Sequence, residues 1–465
     1  MASTYVYRNN DATAGGGYTS TWTWSGWVKR GTLGEQGLFM NRRIDHVSNS
    51  RMRFQFSSSD NLFIETKDST SNDNNYMETK MKFRDTNAWY HIVLAFDTTL
   101  TDTTDMIKIW INNKSIETEL GGWNSPDRAS NGFGTLWSSA TRSMLGIATN
   151  NSNTDFMFNG SMSHIHFTYG TAYTPSAFGE TDATTGEWKI KTSPSVTYGS
   201  QGFFVLKDGN SATDQSGEGN NMTIDGGTLT KTEDSPSNVF CTYNPLQQTN
   251  GSTSISLGNN YFTNTGQWLG VNGTIAATSG KYYAEFKVTG SNGWGIGVAD
   301  VDSEANRTDL LSTANAGYQS KYTGGKQIFL NGSTIVALEN NSTVIDNAGM
   351  GNTSFVANDI VMVALDLDNN NLFFGKNGTW LRGATESEIE AGTSTNATFS
   401  GTSFNDKFWT WSVCSEFENM YMNAGNGYFG TTAVSSAGTN ASGNGIFEHD
   451  VPAGFTALST KGLNE

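Results

Sequence analysis

One short acidic stretch of the sequence offers oxygen ligands at alternate positions. Asp366, Asp368 and Asn370 form a D-x-D-x-N run between two apolar segments, as at the start of an EF-hand calcium loop. The sixth position of that loop requires glycine and here is Asn371, and no flanking helices are expected. Asp and Asn also favour tight turns. We therefore predict a hairpin turn without metal, and retain a cation at Asp366 and Asp368 as the alternative.

Two histidines give a second candidate metal site. His164 and His166 form an H-x-H pattern on a predicted strand, where alternate side chains leave the same face. Two imidazoles would supply half of a metal site, but no Cys, Asp or third His lies near them in the sequence. A pair of half-exposed strand residues is the interpretation that we favour, so we predict no metal here.

Carboxylates placed along one strand would indicate glycoside hydrolysis, which needs two acids beside the scissile bond. The nearest pattern is Glu117 and Glu119, which lacks a third acid and lies at the end of a predicted hairpin. Glu386, Glu388 and Glu390 belong to a predicted helical turn instead. The sequence also has no G-x-S-x-G, no H-E-x-x-H and no phosphate-binding loop. We predict a protein that is not an enzyme and uses no cofactor.

Aromatic side chains in Gly-, Asn- and Ser-rich segments are the candidate ligand-binding residues. Trp123 and Trp137 lie in GGWNSPDRASNGFGTLWSS, and Tyr318 and Tyr322 lie in NAGYQSKYTGG. Such rings suit stacking on a sugar or a hot spot for a protein partner. The alternative is that they fold back over the ends of a β-sandwich. Six tryptophans on predicted strands are expected in the core: Trp22, Trp24, Trp89, Trp110, Trp409 and Trp411.

The composition of the 465-residue chain limits the functions that it can have. With 52 Gly, 36% hydrophobic and only 15% charged residues, it is typical of short strands joined by tight turns in two or three domains. The net charge of −16 argues against a nucleic-acid partner. Cys241 and Cys414 are expected to be reduced, half-buried thiols. No signal peptide follows Met1 and no apolar run is long enough for membrane insertion, so we expect synthesis in a cytoplasm.

Two parts of the chain share one strand pattern, at residues 89–117 and 359–383. In each, a long apolar strand ends in Asp, a polar connection and a shorter strand follow, and an Asn-led turn enters a third strand. Strands that are apolar on both faces suit burial between two layers. We predict an all-β protein with two tandem antiparallel β-sandwiches. Helix is expected only near Thr385 and Glu388, which form a capping box.

Pro236 and Pro245 mark the boundary between the two predicted sandwiches, because the strand pattern lapses around them. The predicted organisation is a first sandwich at 1–232, a linker at 233–250 and a second sandwich at 251–465. We expect Phe455 and Leu458 to return to the second sandwich.

The strand segments of both halves resemble known families. WTWSGWVKR, KFRDTNAWYHIVLAFDTT, IKIWINNKSIE and FNGSMSHIHFTYG resemble the laminin-G and concanavalin A-like sandwiches. GKYYAEFKVTGSNGWGIGVAD, followed by DIVMVALDLDNNNLFFGKNGTW, resembles a SPRY domain, whose usual signature is a DLDN…L.F.KNG hairpin. Laminin-G modules often carry an acidic residue on the closing strand, where Ser163 and His164 stand here, and this departure argues against their structural calcium.

Three connecting segments are similar to virion proteins of marine tailed bacteriophages, particularly those of cyanobacteria: FGETDATTGEW, DSPSNVFCTYNPL and VPAGFTALSTKGLNE. Both domain families are mainly binding modules, so the resemblance implies adhesion or assembly. It predicts a virion protein, oligomeric on the particle, that attaches to a host-surface glycan or protein as part of a tail or head fibre. One alternative is a capsid or tail decoration or adaptor subunit that contacts only other virion proteins. Another is a glycan depolymerase.

Overall fold

In the computed structural model the chain forms two compact units, Met1–Lys231 and Thr232–Glu465. The residues that the structure describes are 4–10, 20–44, 51–67, 74–100, 105–116, 141–149, 155–207, 209, 211–247, 253–266, 268–291, 293–302, 325–340 and 342–464.

The described part of the first unit contains two antiparallel sheets with a hydrophobic core. A seven-stranded sheet has the order β17-β1-β10-β3-β4-β5-β6, and a six-stranded sheet has the order β16-β13-β2-β7-β8-β9. Two further hairpins, β11–β12 and β14–β15, complete the pairing. The strands are β1 Tyr5–Asn9, β2 Thr21–Arg30, β3 Gln36–Arg43, β4 Arg51–Phe56, β5 Asn61–Lys67, β6 Asn74–Lys82, β7 Trp89–Asp97, β8 Ile107–Ile111, β9 Lys114–Ser115, β10 Thr141–Leu145, β11 Ile147–Thr149, β12 Asp155–Met157, β13 Gly160–Tyr169, β14 Gly179–Thr181, β15 Trp188–Ile190, β16 Phe203–Val205 and β17 Thr223–Asp225.

The second unit repeats this architecture among its described residues. One sheet has the order β18-β19-β31-β21-β26-β27-β28, with β29 paired to β27 and β34 paired in parallel to β21, and the other has the order β20-β30-β22-β23-β24-β25. The strands are β18 Thr253–Ser256, β19 Tyr261–Asn264, β20 Leu269–Asn272, β21 Lys281–Val288, β22 Trp294–Asp300, β23 Lys326–Asn331, β24 Thr334–Glu339, β25 Ser342–Ile345, β26 Ile360–Asp366, β27 Asn371–Lys376, β28 Thr379–Trp380, β29 Phe399–Ser400, β30 Trp409–Ser415, β31 Met420–Asn423, β32 Tyr428–Phe429, β33 Thr432–Ala433 and β34 Thr456–Ala457, with β32 and β33 as a separate pair.

The all-β class and the sandwich architecture are therefore confirmed. The α-helix of the described chain, α1 Glu386–Glu390, begins at Thr385, whose side chain accepts from the Glu388 backbone while the Glu388 side chain accepts from the Thr385 backbone, as the capping box predicts. Single 3₁₀ turns occur at Pro175–Ala177, Pro245–Gln247, Leu381–Gly383, Thr402–Phe404 and Gly462–Asn464. No helix among the described residues combines the length and the apolar character needed to cross a membrane.

The tryptophans that the sequence predicts to lie in the core are buried, with one exception. Trp22 and Trp24 are buried in the first core, and Trp409 and Trp411 in the second. Trp110 is only partly buried, because β8 alternates and its isoleucines occupy the buried face. The prediction that Trp110 is a core residue is therefore wrong. Both cysteines are free and fully buried, deeper than expected.

The stretch predicted as a linker packs into the second unit. Phe240 pairs with Ser459, the Cys241 N–H donates to the Leu458 carbonyl at 2.9 Å, and the Thr460 N–H donates to the Val239 carbonyl at 2.9 Å. Phe240, Cys241 and Leu458 are buried. Residues 240–243 are therefore buried in the second unit, because the backbone of this Pro-containing segment bonds to residues 458–460 and its apolar side chains enter the core.

Candidate functional site

The acidic corner at residues 366–371 is a β-hairpin turn. The strands β26 and β27 pair from Val361 opposite Lys376 to Asp366 opposite Asn371. The buried Asp366 carboxylate accepts the Asn369 N–H at 2.9 Å and lies 3.1 Å from the Lys281 ammonium.

The second carboxylate of this corner also takes part in the turn. Asp368 accepts the Gly280 N–H at 2.7 Å. The hairpin prediction is confirmed: both oxygens of Asp366 and one oxygen of Asp368 accept hydrogen bonds from protein groups.

The strand that carries the two predicted histidines is interrupted between them. The register of β13 against β2 shifts between Ser163 and His166, and His164 has a φ of 50°. His164 Nδ1 lies 2.7 Å from the Ser163 hydroxyl. His166 is buried, with Nδ1 at 2.9 Å from the Tyr198 hydroxyl and its ring stacked 3.9 Å from that of Phe204. The regular alternation on which the H-x-H interpretation rests is therefore broken.

A third histidine, which the sequence did not single out, is buried on the same sheet. His91 Nδ1 accepts the Trp188 indole N–H at 2.9 Å, while Nε2 lies 2.9 Å from the Ser25 hydroxyl. The His91 ring stacks on Trp27 with 4.8 Å between centroids. Burial lowers the pKa of His91 to about 3 and holds the pKa of His166 well below its usual value of 6.5.

His91 and His166 are therefore neutral packing residues in this unit. An Nδ1 that accepts an indole N–H cannot carry a proton, so His91 has its proton on Nε2. Over the described ranges no group of three or more His, Cys, Asp or Glu side chains could hold a metal ion.

The four aromatic residues predicted to bind ligand lie outside the described residues. Trp123 and Trp137 belong to residues 117–140, and Tyr318 and Tyr322 belong to 303–324, which the structure does not describe. Their role therefore stays a prediction, as does the placement of Glu117 and Glu119.

The structure instead reveals a cleft in the first unit that sequence reasoning missed. It has a volume of about 440 Å³ and lies beside β1, β3, β10 and the β11–β12 hairpin. Its ten lining residues include three arginines and one carboxylate: Tyr5, Arg42, Arg43, Ile44, Arg142, Met144, Ile147, Thr149, Asp155 and Met157.

The arginines are brought together by the register of the sheet. Arg142 on β10 stands directly opposite Arg42 on β3, and Arg42 stands directly opposite Arg51 on β4. Opposed residues of an antiparallel pair project from the same face, and like charges in that position repel each other. The sheet therefore carries a row of guanidinium groups across three neighbouring strands, and two of them line the cleft.

Hydrogen bonds and a ring contact fix the positions of two of the cleft's guanidinium groups, those of Arg42 and Arg142. Arg42 Nη1 donates to the Thr149 hydroxyl at 2.7 Å. Arg142 Nε donates to Asn9 Oδ1 at 3.0 Å, and its Cζ lies 4.1 Å from the centroid of the Tyr7 ring. Such rigid, planar, charged donors suit carboxylate, phosphate or sulfate groups.

The residues that line the cleft come from separate parts of the sequence, so no single motif predicts it. Arg42 and Arg142 are 100 positions apart in the numbering, and Asp155 follows on another strand. The available signals were the adjacent Arg42 and Arg43 and the alternation of basic and apolar residues in RMRFQF at 51–56, and this alternation indicates a strand but no binding site. Their convergence depends on a cross-strand register that the sequence does not encode locally.

The second unit contains a buried carboxylate that binds the chain's C-terminal region. Glu285 on β21 accepts the N–H groups of Glu448 and His449 at 2.8 and 2.7 Å, the Tyr283 hydroxyl at 3.1 Å and the Asn423 amide at 3.3 Å. Burial raises the pKa of Glu285 to about 7, and the four donors act in the opposite direction. The carboxylate therefore holds residues 448–449 against the sheet.

The protein is therefore an all-β protein with two antiparallel β-sandwich units. The first unit has a basic cleft, and the second encloses its own C-terminal segment. Residues 281–426 match the family model described as "SPRY domain". The second unit thus contains a SPRY domain, as the DLDN…KNG hairpin indicated. A search of curated proteins returns no match.

Similar solved structures include the PSpry domain of TRIM65, with 11% identity, coverage of 39% of this chain and 88% of that chain, and a TM-score of 0.27. The SPRY domain of human HERC1 has 15% identity, covers 39% and 96% of the two chains, and has a TM-score of 0.27. The native heptameric SAP-like pentraxin from Limulus polyphemus has 12% identity, 37% and 71% coverage, and a TM-score of 0.26.

Proposed function

We propose that this protein is a non-enzymatic attachment protein, exposed on a bacteriophage particle, that binds a glycan or a protein of the host surface. The observation that carries the binding function is the SPRY match over residues 281–426, because SPRY domains mediate protein interactions in general.

The two scaffolds are suited to binding. Each unit has a continuous core between two sheets, so the connecting segments are held by rigid elements. Rigid scaffolds with variable connections are a common arrangement for recognition. In the first unit, the basic cleft adds a concave surface with charged and apolar walls, of the size that small ligands use.

The proposal of a phage particle rests on sequence similarity in three connecting segments. FGETDATTGEW includes β14, the following turn and the first residue of β15, and the other two segments pair with each other at Phe240 and Ser459. These last two segments lie over 200 positions apart in the sequence and pair within one core. We therefore expect relatives that share this unit to contain both segments. We propose a laminin-G-like first unit on the resemblance of its strand segments, such as WTWSGWVKR and FNGSMSHIHFTYG, and an oligomeric arrangement on the virion.

Two alternatives make different predictions. A decoration or adaptor subunit of the head or tail would contact only other virion proteins. A depolymerase would release reducing sugar from host polysaccharide. The attachment protein should bind the host surface and leave the polysaccharide intact.

The test uses the full-length chain, labelled with a fluorophore, and cells of a susceptible and a resistant host. Saturable binding to susceptible cells, together with immunogold labelling on the surface of intact particles, would support attachment. Binding to virion proteins without binding to cells would establish the adaptor function instead. Release of sugar that Glu117→Gln abolishes would contradict both binding hypotheses.

Variants of the predicted aromatic residues refine this test. Trp123→Ala, Trp137→Ala, Tyr318→Ala or Tyr322→Ala should weaken cell binding while the melting temperature stays constant, since an aromatic anchor contributes about 2 kcal/mol or more to binding. Tyr428→Ala, on the half-buried strand β32, serves as the matched control. An equal loss of binding in the control would contradict the assignment of these residues.

A further inference from the structure

The basic cleft of the first unit has a charge opposite to that of the whole chain. The protein carries a net charge of −16, yet three arginines and one aspartate are the charged residues that line this cavity. A local excess of positive charge in a concave site concentrates anions there. The ligand of this cleft is therefore expected to be negatively charged.

The burial of Arg42 strengthens this expectation. Burial lowers the pKa of Arg42, the neighbouring Arg142 acts in the same direction, and Asp155 opposes them. Arginine stays charged in proteins, so burial of the Arg42 guanidinium has a desolvation cost. An anion would reduce both this cost and the repulsion between the opposed residues Arg42 and Arg142.

The remaining walls indicate what kind of anion fits. Met144, Ile147 and Met157 give the cleft an apolar surface, and Tyr5 adds an aromatic ring. The Asp155 carboxylate would repel a doubly charged phosphate but would accept hydrogen bonds from hydroxyl groups. A ring with one carboxylate, several hydroxyls and an apolar face would complement the charged, polar and apolar side chains that line the cleft.

We propose that the cleft binds a carboxylate-bearing saccharide of the uronic-acid type. The guanidinium groups of Arg42 and Arg142 receive the carboxylate, and Asp155 and Thr149 receive the hydroxyls. Each guanidinium has five N–H donors, so it can hold its protein neighbour and a ligand together. The volume of about 440 Å³ accommodates one or two sugar rings. This assignment deepens the proposed attachment function and rests on it for its biological meaning.

The test is calorimetric titration of the full-length chain with di- and trisaccharides of galacturonic and glucuronic acid. Glucose oligosaccharides of the same length are the neutral control, and inorganic phosphate and sulfate are the small-anion controls. We expect binding of the uronates that weakens as salt is added, because exposed charge interactions are screened. Equal or tighter binding of phosphate or sulfate would overturn the saccharide assignment, and so would failure of every uronate to bind.

Three variants locate the site. Arg42→Gln and Arg142→Gln should each lower the affinity about tenfold or more, since hydrogen bonds to charged groups are strong. Arg84→Gln removes the same charge from a side chain of the same unit that is 58% exposed, and it should change affinity less than twofold. A comparable loss in Arg84→Gln would show non-specific attraction and overturn the proposal.

A fourth variant separates binding from a structural effect. Asp155→Asn removes the carboxylate but keeps an acceptor oxygen, so uronate affinity should rise severalfold. A variant that merely loosens the fold would not gain affinity. Unchanged or weaker uronate binding in Asp155→Asn would contradict the assigned role of Asp155. Since these assays use free sugars, their failure would leave attachment of the chain to whole host cells to be judged by the cell-binding test.

Discussion

Asn377 exchanges two hydrogen bonds with Ile360 at the start of the long strand β26. The Asn377 N–H donates to the Ile360 carbonyl at 3.0 Å, and the Asn377 side-chain oxygen accepts the Ile360 N–H at 2.7 Å. In the first unit Asn112 makes the same pair of bonds with His91 at the start of β7, at 2.9 and 2.8 Å. In each unit, therefore, an Asn-led turn joins the second and third strands of the meander. The same asparagine also forms hydrogen bonds with a backbone N–H and C=O of the first strand.

Replacement of this asparagine should be costly in either unit. Asn377 and Asn112 both have a φ of 47°, which disfavours a Cβ-bearing residue without a local hydrogen bond. Asn377→Ala should lower the free energy of unfolding by about 2 kcal/mol through backbone strain and the lost side-chain bonds. Asn377→Gly relieves the strain and should cost about half as much. Urea unfolding of both variants measures the difference, and an equal cost would show that φ is irrelevant.

These turns and strands could be predicted because their signals are local. The aromatic and β-branched residues of TWTWSGWVKR, the Asn-Asn and Asn-Gly pairs, and the Thr385–Glu388 capping box each act within a few residues, although β2 is buried on both faces and not on one as its alternation predicts. The prediction that Phe455 and Leu458 return to the second core is also confirmed, and both are buried.

The features of the structure that could not be predicted depend on contacts and strand register between segments that are far apart in the sequence. Arg42 and Arg142 meet only because β3 and β10 pair with that offset. His91 is buried by Trp188, which comes from a hairpin almost 100 positions later with no strong strand pattern of its own. The linker at 233–250 was predicted from its prolines, but burial of Phe240 depends on a partner at the opposite end of the unit.

Acid should destabilise the first unit through its buried histidines. His91 and His166 have folded pKa values below the usual 6.5, so the unfolded chain binds protons that the folded chain cannot. Stability is therefore complete above about pH 6.5 and falls as the pH decreases towards the folded values, with a slope that approaches about 1.4 kcal/mol per pH unit for each histidine.

Chemical unfolding of the first unit between pH 8 and pH 5 measures this slope. His91→Gln and His166→Gln should each reduce it by about half, although both variants lose some stability at pH 8. His449→Gln, in the second unit, is the control and should leave the slope of the first unit unchanged. A first unit whose stability is constant from pH 8 to pH 5 would refute the neutral-histidine interpretation.

Glu285 should show the opposite pH dependence. Its folded pKa of about 7 lies above the usual 4.5, so its contribution to stability is complete below about pH 4.5 and is lost as the pH rises through 7. Glu285→Gln places an amide among four donors and should lower the free energy of unfolding by about 2–4 kcal/mol. The loss should be greater at pH 5 than at pH 8.

Limited proteolysis gives a second measurement for Glu285. The amide in Glu285→Gln keeps only one acceptor oxygen, so one of the Glu448 and His449 N–H groups loses its acceptor and residues 434–451 should be cleaved faster in the variant. Ser254→Ala, on the exposed part of β18, is a control that should leave the cleavage pattern unchanged. Identical cleavage in Glu285→Gln and the native chain would show that other contacts hold this segment.

The two aspartates of the hairpin corner should differ in their effect on stability. Asp366 is fully buried beside Lys281, so Asp366→Ala removes the carboxylate partner of a partly buried ammonium, which keeps its bond to the Glu390 carbonyl, and should cost about 3 kcal/mol or more. Asp368 is exposed and accepts only the Gly280 N–H in this turn, so Asp368→Ala should cost about 1 kcal/mol or less. A chelator should leave the melting temperature unchanged. A decrease of several degrees that calcium reverses would establish a metal site here, because a ligand of the folded state stabilises it.

Trp24 and Trp110 provide a matched pair for the first core. Trp24 is completely buried on β2 and packs edge-on against Phe54, with 5.3 Å between ring centroids, whereas Trp110 is only partly buried on β8. Trp24→Ala should lower the free energy of unfolding by about 3–5 kcal/mol, because the core cannot collapse fully around the space that the indole leaves. Trp110→Ala should cost about 2 kcal/mol or less, since solvent already reaches the ring and no closed cavity forms. Urea unfolding followed by circular dichroism compares the two variants directly. If Trp110→Ala proved as costly as Trp24→Ala, the exposed face of β8 would be covered in solution by a further part of the protein or by a second copy.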